Sequence, residues 1–101
     1  MPREEGYNLR ILGEIARARE QFEVAEQFFL ESYGTLHQAG DEYEEGRTQL
    51  SLAQLYAAQQ QKERAEMALE LCVGVFERLD AQLDLAAAHT IRQTLDLLGT
   101  S

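Results

Sequence analysis

Apolar residues along the chain recur at helical rather than strand spacing. Leu9, Leu12, Ile15, Ala16 and Phe22 fall on one side of a 3.6-residue period, with Arg10, Glu14 and Arg17 on another. That predicts an amphipathic helix from about residue 4 to 19, starting close to the N-terminus because Pro2 is tolerated in a first turn. A break is expected near Glu20 and Gln21. A second helix, about 22 to 39, carries Ala25, Phe28, Phe29, Ser32, Leu36 and Ala39 on one broad stripe. A third, about 42 to 59, turns Leu52, Ala53, Leu55 and Tyr56 inward. A fourth, about 62 to 79, buries Ala65, Leu69, Cys72, Val75, Phe76 and Leu79. The fifth, about 83 to 98, places Ile91, Leu95 and Leu98 on one face and is closed by Gly99. Between the second and third, Gly40 suits a left-handed C′ position and Asp41 an N-cap, with Glu44 three residues on as in a capping box. No alternating strand pattern bounded by Asn-Gly or Gly-Gly turns competes, so the expected fold class is all-α.

The pattern itself occurs twice. EEGYNLRILGEIARAREQFEVAEQFFLESYGTL, from Glu4, returns forty positions later as EEGRTQLSLAQLYAAQQQKERAEMALELCVGVF, from Glu44. Identical pairs include Gly6/Gly46, Leu12/Leu52, Ala18/Ala58, Gln21/Gln61, Ala25/Ala65, Glu26/Glu66 and Gly34/Gly74. Self-similarity at a fixed period of this length signals stacked repeats. One domain, 1–101, is therefore expected to hold repeat one (4–40), repeat two (41–80) and a terminal helix (82–98). Glycine within a helix costs about 1 kcal/mol relative to alanine, so Gly34 and Gly74 at one register imply a close helix approach.

Each unit has an aliphatic residue followed by a small one (Leu12-Gly13, Leu52-Ala53), then an early alanine in its second helix (Ala25, Ala65). A large apolar residue follows four later (Phe29, Leu69), and a small one three beyond that (Ser32, Cys72). The chain resembles the tetratricopeptide repeat, in the forty-residue form of kinesin light chains, adaptors of the LGN/Pins type and bacterial signalling regulators. The resemblance implies a right-handed stack of antiparallel helix pairs, two repeats plus a fifth helix. Glu20 and Gln60 stand where the family commonly has glycine, which implies strained turns. His37 and Glu77 replace the usual proline, and the chain has no tryptophan.

A tetratricopeptide stack holds its partner in a concave groove. Carried over by position, the resemblance places Tyr7, Arg10, Glu14 and Arg17 on the groove face of the first helix, and Arg47, Leu50, Gln54 and Ala57 on that of the third. Thr90 and Thr94 continue it. The family's carboxylate clamp is not reproduced: Glu14 stands where an asparagine is wanted, and Leu50 and Gln54 supply no cation. Arg10, Arg17 and Arg47 can hold an acidic peptide by charge-assisted hydrogen bonds. Alternatively they pair with Glu14 and neighbouring acids, where each exposed pair is worth about 0 to 1 kcal/mol.

Charge and composition narrow the function. A net charge of -9 without a dense basic cluster argues against nucleic acid. No apolar run approaches a bilayer span and the start lacks a signal-like core, so no membrane association is expected and a cytoplasmic location is the default. The single Cys72, among apolar neighbours, reads as a small buried residue. His37 and His89 lie in no metal-ligand spacing, no nucleophile or phosphate-loop motif occurs, and neither an enzyme nor a cofactor is expected. The expected function is a non-enzymatic module binding a protein or peptide. Homodimerisation through the terminal helices, with Leu85 and Leu97 at the association edge, is the alternative, because each repeat alone leaves an apolar side uncovered. A small-ligand sensor, as in bacterial regulators, is a third.

Overall fold

The computed structural model describes residues 2–98. They form five α-helices of 17 residues each: α1 (Pro2–Ala18), α2 (Phe22–Gln38), α3 (Glu42–Ala58), α4 (Lys62–Arg78) and α5 (Gln82–Leu98). The periodicity anticipated every boundary to within two residues; the expected closure at Gly99 lies outside the described residues. Three residues join each helix to the next, so the chain advances twenty residues per helix and forty per pair. α1 packs chiefly on α2 and α3 on α4, with smaller contacts of α2 to α3 and α4 to α5, and α3 touches both α1 and α5. The Cα radius of gyration is 13.0 Å, close to the ~13 Å of a compactly folded 100-residue chain.

All four turns use one device. Glu20, Gly40, Gln60 and Asp80 have φ of 60, 71, 59 and 55°. The next residue donates its N–H across the turn, Gln21 to Ala16 O at 2.9 Å, Asp41 to Leu36 O at 3.0 Å, Gln61 to Tyr56 O at 2.9 Å and Ala81 to Phe76 O at 2.8 Å. These bonds, with those from Glu20, Gly40, Gln60 and Asp80 to the carbonyls three residues back, make four Schellman motifs. Only Gly40 occupies the left-handed region without steric penalty; the other three each hold a side chain there, at about 1–2 kcal/mol. Strain expected at Glu20 and Gln60 is thus present. Asp41 caps α3 by accepting from the Glu44 N–H, but the Glu44 side chain turns to Arg10 instead of closing a capping box.

The core follows the predicted stripes on α2 to α5, with Phe29, Leu36, Leu55, Leu69, Cys72 and Phe76 fully buried. Leu79 is an exception, 46% exposed. On α1 the expected stripe fails more broadly: Leu12 and Ile15 are each 44% exposed, and the buried positions are Gly6, Gly13 and Ala16. Large residues of α2 fill the space these small ones leave. A Cβ at Gly13 would lie 2.5 Å from the Phe29 ring, and one at Gly6 2.5 Å from Leu36. Gly46 is similarly confined, 3.0 Å from Phe76 and Val75. Gly34 and Gly74, by contrast, have nothing within 4 Å of a built Cβ, so helix approach does not account for them. The buried Ser32 hydroxyl is satisfied by the Gly6 carbonyl at 2.7 Å, which ties α2 to the start of α1.

Candidate functional site

The forty-residue period gives a set of corresponding positions on α1, α3 and α5: Tyr7, Arg47 and Ala87, then Arg10, Leu50 and Thr90, then Glu14, Gln54 and Thr94. At the α1 end its polar groups are largely bonded to one another. Arg10 and Glu44 are only 14% and 13% exposed, and the guanidinium lies 2.5 Å from the Glu44 carboxylate. It also donates to the Glu44 carbonyl at 3.3 Å and to Thr48 Oγ1 at 3.4 Å, and stands 5.9 Å from the centre of the Tyr7 ring. Tyr7 donates to Asp41 Oδ2 at 2.9 Å, and Arg3 reaches the same carboxylate at 3.0 Å. Burial, and then the bond to Asp41, raise the Tyr7 phenol above its ordinary pKa. Every one of these contacts but the ring stacking joins α1 to the first turns of α3 or to its cap. Arg10 is therefore a joint between the two helices.

Further along, the groups are more open. Arg17 bonds Glu14 within α1 at 2.6 Å, both 35% exposed. Arg47 is 47% exposed, 3.7 Å from Glu44, with its guanidinium 5.9 Å from the Tyr43 ring centre. Tyr43 donates to Asp84 Oδ2 on α5 at 2.7 Å; that bond first, then burial, raise its pKa. Leu50 is half-buried against the core, and Gln54 is half-buried beside it in sequence register. Thr90 and Thr94 turn their hydroxyls to the carbonyls of Ala86 and Thr90. Asp41, Tyr43, Glu44, Thr48 and Asp84 belong to this network without having been anticipated. Their partners are about 34 to 41 positions away, and only the forty-residue period hinted at such distances.

Of the expected association edge, Leu85 is half-buried against the core, whereas Leu97 is 74% exposed. Burial pushes the Cys72 thiol up to about 11, and its Sγ–H faces the Leu69 carbonyl. Tyr56 donates to Glu26 of α2 at 2.6 Å, and burial followed by that bond pushes its phenol up to about 12. His37 is exposed, stacked on Tyr33 and 3.2 Å from Glu45. Among the described residues no three His, Cys, Asp or Glu side chains converge as a metal site, and no helix is long and apolar enough to cross a membrane. The surface hollows are open ones, such as that between Tyr43, Leu79, Gln82 and Leu83. Comparison with known proteins finds no matching family model, no matching curated protein and no matching solved structure.

Proposed function

We propose that the chain is a non-enzymatic interaction module of tetratricopeptide type, a right-handed stack of antiparallel helix pairs that holds a peptide or helical segment along the face of α1, α3 and α5. The observation that supports this best is where the two repeats agree and where they differ. Packing positions keep their character: Gly6/Gly46 and Ala25/Ala65 are identical and buried, and Phe29/Leu69 and Leu36/Phe76 are large, apolar and buried. The α1/α3/α5 face does not repeat, running Arg10/Leu50/Thr90, Glu14/Gln54/Thr94 and Arg17/Ala57/Leu97. A scaffold that repeats while one face varies suits selective recognition.

A segment laid across this face meets charged side chains on α1, mixed ones on α3, and hydroxyl and aliphatic ones on α5. Arg17 and Arg47 are its accessible cations, so the partner is an acidic peptide with apolar residues toward α5. Arg10 holds the face together instead of gripping the ligand. The test is affinity capture from a native cytoplasmic lysate with the intact chain and an Arg17→Ala/Arg47→Ala variant of unchanged helicity. A partner retained by the first and lost by the second is expected. Equal retention by both would refute the assignment of the face.

A further inference from the structure

Helices α3 and α5 each bury the same register of positions on the preceding helix pair. In α3 these are Thr48, Ser51, Leu52 and Leu55, none more than 8% exposed, with the Thr48 hydroxyl 3.4 Å from that of Ser32 on α2. In α5 none of Ala88, Ile91 and Leu95 is above 8%, while Arg92, the counterpart of Leu52 and Leu12, is exposed. The same register on α1 is Asn8, Ile11, Leu12 and Ile15, and no described element covers it: the three aliphatics are 56%, 44% and 44% exposed. Charges show the same gap. Glu44 and Glu45 find Arg10 and His37 in the preceding pair, whereas their counterparts Glu4 and Glu5 are exposed and make no ion pair among the described residues. Arg19, just past the other end of α1, is exposed and likewise makes no ion pair among the described residues.

We infer that this face docks on the same face of a second copy, α1 antiparallel to α1 across a two-fold axis between Ile11 and Leu12. That register sets Ile11 against Leu12 of the second copy, Ile15 against its Asn8, and Arg19 against its Glu4, each contact occurring twice. Aliphatics therefore meet at the axis and opposite charges at both rims, the self-complementarity that an isologous contact requires. Head-to-tail growth is closed off, because α5 already covers α4 where another copy's α1 would sit. The positions of α5 that correspond to the buried Gln49, Ala53 and Tyr56 of α3 are His89, Gln93 and Asp96, exposed and polar as on a cap. The assembly is a closed pair and not a filament. A single helix-on-helix contact buries less than the ~1,200–2,000 Å² of a standard interface, so the pair is weak and concentration-dependent.

Sedimentation of the full chain from about 10 μM to about 1 mM tests this, since micromolar to millimolar dissociation constants are those of weak contacts. Mass is expected to rise from the 11.5 kDa of one chain toward twice that value. Leu12→Glu, at an exposed site and with an unchanged circular dichroism spectrum, stays monomeric throughout, while Leu97→Glu associates like the parent. Glu4→Arg and Arg19→Glu each weaken the pair about tenfold or more, and together they restore it. A monomeric parent, loss of association in Leu97→Glu alone, or no recovery in the combined charge reversal would each overturn the proposal.

Discussion

Gly13 and Gly34 both lie inside helices, and alanine at the two sites is expected to act in opposite directions. At Gly34 nothing lies within 4 Å of the added methyl, so the variant gains the ~1 kcal/mol helix preference of alanine over glycine with no opposing contact. At Gly13 the methyl would stand 2.5, 2.6 and 3.1 Å from three atoms of the Phe29 ring, against a carbon–carbon optimum of about 3.5–4.0 Å. Phe29 is fully buried, so its ring must shift by about an ångström inside a filled core. Overpacking of this kind costs about 1–3 kcal/mol, which cancels or exceeds the same helix gain. The two variants should differ by about 2 kcal/mol, or roughly 10 °C in Tm at 4–8 °C per kcal/mol for a domain of this size. Urea and thermal melts followed at 222 nm measure the difference. Phe29→Leu, which removes the opposing ring atoms, should reduce the penalty of Gly13→Ala. Equal changes at Gly13 and Gly34 would refute the assignment of the close approach to Gly13.

Replacing Gln60 by glycine relieves a left-handed side chain at φ 59° while adding unfolded-state entropy, for a net stabilisation of about 0.5–1 kcal/mol in the same melts. Arg10→Ala should lose about 2 kcal/mol, between the ~0–1 of exposed pairs and the 3–5 of fully buried ones. Lysine should not restore it, because both terminal nitrogens of Arg10 are bonded. Tyr56 is protonated in both states below pH 10, so its contribution is fully present there. As pH rises from 10 toward the folded value of about 12, only the unfolded chain ionises and stability falls. Melts across that window should show less alkaline loss in Tyr56→Phe than in the parent.

Helix positions and the period were legible because apolar spacing and turn residues are local signals; Gly40-Asp41 marked its turn directly, and the ends of the apolar stripes located the others. Strain at Asp80 had no comparable sign, since its left-handed backbone is imposed by the helices it joins. The inward stripe of α1 departs from expectation at Leu12 and Ile15 for a related reason. Leu12 and Ile15 match Leu52 and Leu55 in register, but α3 has a helix pair before it and the described part of α1 does not. Sequence periodicity reports which face is suited to burial and not whether anything covers it. Arg10, Arg17 and Arg47 read alike in sequence and stand apart in three dimensions, because Glu44 lies forty residues beyond Glu4 and is brought to Arg10 only by packing.

The most direct test of the functional face is hydrogen–deuterium exchange of the chain with and without a captured acidic partner, resolved by peptide. Slowed exchange is predicted in α3 from Arg47 to Ala57, in the last turn of α1 around Arg17, and in α5 around Thr90 and Thr94, with α2 and α4 unchanged. Protection confined to α2 and α4 would contradict the account and move recognition to the opposite side of the helix pairs.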